Sequence, residues 1–242
     1  MPAPSATLVI TTFERDHLLE LTLPSINRED LEIIVVNDSI PGNTETLCRR
    51  HGVRYLYTGK DTTQWHGPAL AINMGVAAAR GEFVFISCAE IFHIDDEVMP
   101  VLIQLLLRNP QTMAIPTGKQ DVTGLFLKRL SQGESCSNMW DGLHRLKVEL
   151  PFLLGLDKAT FVAIGGYDED FLKGRAFDDN DFVDRLTLLG YQYLQSPQRI
   201  VHLYHERNAY GRIEGIDEAW NRNKALYEAR KGTIVRNPGK VW

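Results

Sequence analysis

The sequence predicts an α/β fold: a single domain in which a mostly parallel central sheet is flanked by helices. Four short apolar runs have the length of buried strands, segments with helical spacing separate them, and the runs break into polar residues where they end. The chain has 242 residues, of which 44% are hydrophobic and 24% are charged. This is long enough for one large core and ordinary for a globular protein.

The predicted elements alternate regularly over residues 1–110. We predict strands over residues 6–10, 31–36, 53–57 and 82–87, because these runs are apolar and rich in β-branched or aromatic residues. We predict helices over residues 16–23, 44–51, 67–80 and 97–107. Gly81 follows the third of these helices and is expected to be its C-terminal stop.

The pattern is weaker in the second half of the chain. We predict strands over residues 115–119 and 200–204, a polar and turn-rich loop over 131–138, and a core segment over 152–156. Helices are predicted over residues 158–164, 180–189 and 216–231, and the last of them is amphipathic and expected to pack on the body of the protein. We find no internal repeat or linker, and we divide the domain into residues 1–110, 111–215 and 216–242.

Charge and cysteine content exclude several classes of protein. With a net charge of -5 and a pI near 5.8, the chain has no general attraction for nucleic acid. The first residues do not resemble a signal peptide, and no run approaches the ~20 apolar residues of a transmembrane segment. Cys48, Cys88 and Cys136 match neither a disulfide framework nor a zinc site, so we interpret them as packing residues of a cytoplasmic protein.

Polar and acidic groups follow three of the predicted strands, at residues 11–15, 37–39 and 88–90. Ligands of open parallel sheets bind outside the carboxyl ends of the strands, so these groups are candidate site residues. A denser acidic group, residues 178–181, precedes a predicted helix, and one of its carboxylates is expected to cap that helix. Close carboxylates raise the pKa of at least one member, which suits a general base or a metal site.

His202 and His205 flank a short apolar stretch, and Glu206 is adjacent to the second of them. Imidazole nitrogens and carboxylate oxygens are ligands for divalent cations. The spacing alone is not a metal signature, so a structural role for the pair is an equal expectation.

The order of these pieces resembles the GT-A glycosyltransferases, specifically the family 2-like group with a galactosyltransferase-type C-terminal region. The segment Thr12-Phe13-Glu14-Arg15 is similar to the family's "TYNR" motif, and Val35-Val36-Asn37-Asp38-Ser39 is similar to "VVDDGS". Both motifs contact the nucleotide in that family. The resemblance implies that Thr11 and Phe13 line a base pocket and that Asp38 accepts a hydrogen bond from uracil or ribose.

The segment 67–82 looks like the family's "GPAAARNLGLAAARGEY" and is the strongest local match. In it, Asn73 and Gly75 are expected to let the backbone approach the donor closely. The family's DxD motif corresponds to Cys88-Ala89-Glu90, where the first acid is missing. The resemblance implies that Ala89 lies at the donor and that Glu90 and His205 hold a divalent metal, Mn²⁺ or Mg²⁺, together with diphosphate oxygens.

Residues 165–171 look like the family's "GGFDEDF" element, which precedes an acidic motif there too. The carried-over general base is Asp179, and Asp178 binds the acceptor or orients that base. The resemblance implies an inverting single displacement, in which Asp179 deprotonates an acceptor hydroxyl that attacks the anomeric carbon of a nucleotide sugar, with a UDP-sugar as the expected donor.

Several alternatives stay open at this point. The altered DxD triplet is consistent with a catalytically degraded nucleotide-sugar-binding protein, and a retaining transferase or a nucleotidyltransferase is possible. Dinucleotide binding is disfavoured because residues 11–15 contain no Gly-rich phosphate loop. Trp65 and Trp140 are either packing residues or parts of loops that close over the donor. The acceptor is a glycan, a protein, a lipid-linked sugar, a small molecule or a modified nucleic acid.

Overall fold

The computed structural model describes residues 4–64, 66–135, 137–146, 152–206 and 215–242. The strands within these residues form one sheet. They are β1 Ala6–Thr12, β2 Leu31–Asn37, β3 Arg54–Tyr57, β4 Phe83–Cys88, β5 Ile91–His93, β6 Thr112–Gln120, β7 His144–Arg145, β8 Leu153–Asp157 and β9 Gln192–His202. The α-helices are α1 Asp16–Thr22, α2 Thr44–Arg50, α3 Ala69–Ala78, α4 Val98–Arg108, α5 Leu125–Ser131, α6 Lys158–Ala163, α7 Asp178–Leu188 and α8 Ile216–Arg230.

The strand order is β3-β2-β1-β4-β8-β6-β9-β5, and β7 pairs with β6. Strands β3, β2, β1 and β4 pair in parallel, as predicted. Strand β8 runs antiparallel to both β4 and β6, and β6 is parallel to β9, so β6 and β9 point the same way as β1. The sheet is therefore mixed but mostly parallel, which confirms the predicted α/β class.

Two apolar clusters cover the two faces of the sheet. Leu8 and Ile10 of β1 join side chains of α1, α2 and α4 on one face, whereas Val9 joins α3, α6 and α7 on the other. Because alternate residues of a strand point to opposite faces, a strand buried on both sides is apolar over most of its length. This explains why β1 and β2 could be predicted from the sequence.

The second half differs from prediction in several elements. The strand predicted over 115–119 is the nine-residue β6, and the one predicted over 200–204 is only the end of the eleven-residue β9. Strand β7 and helix α5 were not predicted, and neither was the short strand β5 in the first half. Most residues of β9 are exposed or half-buried, and the strand contains Pro197, so it lacks the apolar run that identifies a central strand.

Gly81 does not stop α3, because the helix ends at Ala78. A Cβ atom built on Gly81 would lie 2.4 Å from the carbonyl carbon of Ala6, so Gly81 instead allows the chain to cross close to the start of β1. Among the described residues, no helix is both long and apolar enough to cross a bilayer.

Candidate active site

A cleft of about 400 Å³ opens at the carboxyl ends of β1, β2 and β4. One side, which we name the strand-end wall, consists of residues that follow these strands. The other, the helical wall, consists of Tyr167, the turn before α7 and the first turn of α7. The structure brings nine of the predicted site residues to this cleft: Thr11, Thr12, Phe13, Arg15, Asp38, Glu90, Asp178, Asp179 and His205.

Asp38 is held at the end of β2 by the sheet itself. Its N–H donates to the carbonyl of Thr12 at 3.0 Å, which extends the parallel pairing of β1 and β2 by one residue. The next turn is closed by the amide oxygen of Asn37, which accepts from the backbone N–H and the hydroxyl of Ser39 at 3.1 and 3.0 Å. Asp38 is therefore positioned by backbone geometry.

Two side chains that sequence analysis did not single out lie against the buried Asp38 carboxylate. The Nε2 atom of His66 lies 2.9 Å from one carboxylate oxygen, and the Nζ atom of Lys60 lies 4.0 Å from the other. The Phe13 ring meets the His66 ring edge to face, with centroids 5.6 Å apart. Both basic residues follow β3, a parallel strand, so their position at a strand end was the available signal.

Arg15 links the two predicted metal ligands. Its Nε lies 3.2 Å from a carboxylate oxygen of Glu90, and its Nη2 lies 3.3 Å from Nδ1 of His205. Carboxylate oxygen and imidazole nitrogen are donors that suit a divalent cation, and here they converge on one positive charge. Within the described ranges, no group of three or more His, Cys, Asp and Glu side chains is arranged to hold a metal ion.

Cys88 occupies the position of the missing acid and lines the cleft. Burial raises the pKa of its thiol well above the ordinary value, and the neighbouring Glu90 carboxylate raises it further. The thiol therefore stays neutral, and Glu90 supplies the only carboxylate of the triplet.

The acidic group forms the first turn of α7, rather than preceding the helix as predicted. The N-cap residue is Phe177, in a left-handed conformation with φ 70°, and it makes no side-chain cap, so the expectation of a capping aspartate is wrong. Asp181 is a structural member of the group: its carboxylate pairs with Arg185 at 2.8 Å and Arg236 at 2.6 Å. Asp178 and Asp179 face the cleft.

Burial is the main cause of the electrostatics of this pair. It raises the pKa of Asp178 to about 7, and repulsion from Asp179 adds to the shift. Burial also raises the pKa of Asp179, whereas the hydroxyl of Tyr167 lowers it by donating to its Oδ1 at 3.1 Å. The expected rise in pKa is confirmed, with desolvation rather than repulsion as its larger cause. Such a pair exchanges one proton near neutral pH.

Residues 7–161 match the family described as "Glycosyl transferase family 2". The chain belongs to glycosyl transferase family 2. No curated protein sequence matches the chain.

Three solved structures share the fold of this family 2 member. The match to the mannosyltransferase PcManGT of Pyrobaculum calidifontis, in complex with GDP-Man and Mn²⁺, has a TM-score of 0.58 and 17% identity and covers 87% of this chain and 60% of that one. The match to glucosyl-3-phosphoglycerate synthase of Mycobacterium tuberculosis, in complex with Mn²⁺, UDP and glucosyl-3-phosphoglycerate, has a TM-score of 0.59 and 13% identity. It covers 98% of this chain and 82% of that one. The match to a mycobacterial protein has a TM-score of 0.59 and 15% identity, and it covers 84% of this chain and 68% of that one.

At these identities the likeness shows the fold alone, and it confirms the GT-A assignment of this family 2 chain. The chain spans 60% of the length of the mannosyltransferase. Asp178 and Asp179 lie beyond the family match, which ends at residue 161. The galactosyltransferase-type C-terminal region therefore stays a prediction.

Four predicted donor-binding residues of the family 2 motifs do not line the cleft. The buried Asn73 accepts from the N–H of Tyr167 at 2.9 Å and donates to its carbonyl at 2.8 Å. A Cβ atom on Gly75 would lie 2.3 Å from Cγ1 of Val9, so the close approach here is between α3 and the sheet, not between backbone and donor.

Ala89 and Glu14 also have structural surroundings. The N–H of Ala89 donates to Thr11 at 3.0 Å, and its side chain is fully buried in the core. Glu14 adopts a left-handed backbone with φ 53°, and its N–H donates to the hydroxyl of Ser39 at 3.2 Å. These two residues therefore stabilise the backbone of the strand-end wall without lining the cleft.

The two tryptophans and Cys136 complete the predicted set. Trp65 and Cys136 lie outside the described residues. Trp140 does not line the cleft, and its ring lies under the Lys119 amino group at 4.8 Å and near the Arg199 guanidinium at 5.8 Å. Its contacts favour packing over a role in covering the donor.

Proposed function

We propose that this protein transfers a sugar from a nucleoside-diphosphate sugar, with UDP-sugar as the expected donor, to an acceptor hydroxyl with inversion. The observation that carries the proposal is the carboxylate pair of the buried Asp178 and the half-buried Asp179, which shares one cleft with the strand ends of a family 2 fold. Ligands of such sheets bind at the strand ends, so the donor lies against one wall and the carboxylates face it from the other.

In the proposed reaction, Asp179 is the general base. The acceptor oxygen forms a bond to the anomeric carbon, the bond from that carbon to the diphosphate oxygen breaks, and the acceptor proton passes to the Asp179 carboxylate. The Tyr167 hydroxyl, 3.1 Å from Asp179, stabilises the ionised form that this step requires. Asp178, whose pKa is about 7, carries a proton over part of the neutral range and can donate a hydrogen bond to the acceptor or to its neighbour.

The strand-end wall binds the donor. Phe13 and His66 offer aromatic ring surface for a base, and the Asp38 carboxylate accepts a hydrogen bond from the base or the ribose. Arg15 places a positive charge near the diphosphate, whose leaving oxygen gains negative charge.

One pair of side chains in the cleft is suited to bind a divalent metal. Glu90 and His205 already converge on one cation, the Arg15 guanidinium, and they are the residues that would hold Mn²⁺ or Mg²⁺ together with donor oxygens. Such a metal supplies electrostatic stabilisation of the leaving diphosphate.

The neutral thiol of Cys88 favours one rival, a nucleotide-sugar-binding protein that has lost catalysis. One experiment separates the two. The intact protein is incubated with a panel of nucleotide sugars in Mn²⁺, Mg²⁺ or EDTA, released nucleoside diphosphate is measured, and binding is followed by calorimetry. Release with at least one donor supports the transferase, and stimulation by Mn²⁺ supports the metal assignment. Tight binding without release under every condition supports the rival and contradicts our proposal.

A further inference from the structure

The turn between the 3-10 helix Glu169–Lys173 and α7 has an unfavourable backbone. Ala176 and Phe177 are consecutive non-glycine residues in the left-handed region, with φ values of 61° and 70°. A Cβ atom makes this conformation costly, so two such residues in a row persist only where their surroundings hold them. Asp178 and Asp179 follow directly, so this turn determines where their side chains point.

Helix α8 makes the contacts that hold the turn. The amide of Asn223 is buried and donates to the carbonyls of Ala176 at 2.9 Å and Phe171 at 3.1 Å. The N–H of Arg175 donates to the carbonyl of Ala219 at 3.1 Å, one turn earlier on the same helix. Three backbone groups at and before the turn are therefore satisfied by α8.

Packing adds to these hydrogen bonds. The Phe177 ring lies against the rings of Trp220 and Tyr227, with centroids 5.2 and 5.5 Å away. A Cβ atom on Gly174 would lie 1.9 Å from Oδ1 of Asn223, so the Asn223 side chain is pressed directly onto the turn. The interface is thus shaped around Asn223. Loss of its amide removes the donor to the Ala176 carbonyl and one of two donors to the Phe171 carbonyl, which also accepts from the N–H of Gly174.

We propose that Asn223 is a positioning residue, which holds the left-handed turn at Ala176 and Phe177 and thereby aims Asp178 and Asp179 into the cleft. The inference rests on the proposed function, since it gives α8 a part in transfer through the carboxylates. Asn223 lies outside the cleft and acts only through the turn.

The test compares Asn223→Ala with Asn221→Ala. Both remove an asparagine side chain from α8, but Asn221 is exposed. We expect Asn223→Ala to lower kcat by about tenfold or more, because small displacements of reacting groups are costly. The dissociation constant for UDP should stay unchanged, since the strand-end wall is intact, and Asn221→Ala should behave as wild type.

A second variant separates positioning from a general loss of structure. Glycine adopts the left-handed region without a Cβ penalty, so Ala176→Gly should restore much of the lost kcat in the Asn223→Ala protein. Amide hydrogen exchange gives a readout that is independent of turnover: residues 174–181 should exchange faster in Asn223→Ala than in wild type or Asn221→Ala.

Three results would overturn the inference: wild-type kcat in Asn223→Ala, no recovery with Ala176→Gly, or unchanged exchange over residues 174–181. A wild-type protein that turns over no donor would instead contradict the proposed function, and the exchange experiment still decides whether Asn223 holds the turn.

Discussion

The two walls of the cleft are built differently. In the strand-end wall, backbone hydrogen bonds of the parallel sheet carry Asp38 and the loop after β1 to their places. In the helical wall, a strained turn carries Asp178 and Asp179, and side chains of a distant helix hold that turn. Under the proposed function, donor binding and proton transfer therefore depend on separate parts of the fold, so substitutions should affect them separately.

We expect Asp179→Asn to give the largest difference between the effect on turnover and the effect on donor binding. The amide has the shape of the carboxylate but cannot accept the acceptor's proton, so we expect kcat to fall by about 10³-fold, within the range for loss of a general base. UDP affinity and the melting temperature should not fall. Steady-state kinetics with the donor found in the screen measures this effect.

Asp184→Asn is the matched control for Asp179→Asn, because Asp184 is an exposed aspartate of the same helix. It should keep full activity. Full activity in Asp179→Asn would show that the base lies elsewhere and that the helical wall is not the catalytic one.

Asp38→Asn tests the opposite wall. The substitution removes the charge that faces His66 and Lys60 and weakens the hydrogen bond to the donor, so we expect about tenfold weaker UDP binding, the usual size for one charge-assisted bond. At saturating donor, kcat should change little. Calorimetry and donor titrations measure the two quantities.

Asp61→Asn, an exposed aspartate in the segment after β3, is the control for Asp38 and should bind UDP normally. A fall in kcat without a loss of affinity in Asp38→Asn would mean that Asp38 acts in turnover and not in donor binding, which contradicts the separation.

The same difference explains what could be predicted from the sequence. Strands β1 and β2 are buried at nearly every position and each contains an unbroken apolar run, so these strands and the polar residues after them can be predicted from local sequence. The turn before α7 cannot be predicted in this way, because a left-handed Ala176 or Phe177 has no local signature and the contacts to the turn come from the distant helix α8. Likewise, His66 reaches Asp38 through tertiary packing, although the two residues are distant in sequence.

Tyr167→Phe should sharpen the account of the helical wall through pH. Asp179 must be ionised to act as a base, so kcat/KM falls as pH decreases through the apparent pKa of the aspartate pair. The Tyr167 hydroxyl lowers the pKa of Asp179, and its removal raises that pKa. We expect the acid limb to move to higher pH, with several-fold loss at neutral pH that becomes smaller at high pH.

Tyr191→Phe is the control, because it removes a hydroxyl that bonds to Thr160 and Asp157, away from the cleft. It should not shift the pH dependence of kcat/KM. An equal loss of activity at every pH in Tyr167→Phe would indicate that the hydroxyl only supports packing.

The smallest effect concerns stability, and Asp178→Asn reveals it. The pKa of Asp178 is about 7 in the folded protein, above its value of 3.8 in the unfolded chain. The protonated carboxyl therefore contributes fully to the free energy of unfolding below about pH 4, and this contribution is lost as the pH rises through about 7. The resulting penalty, on the order of a few kcal/mol, exceeds the benefit of about 0.3–1 kcal/mol from a negative charge at a helix N-terminus. Asparagine keeps the shape and removes the penalty. We expect the melting temperature at pH 8 to rise by roughly 4 °C or more, and to change little at pH 4. A loss of stability at pH 8 would mean that the fold stabilises the charged form of Asp178, which contradicts the raised pKa of this carboxyl.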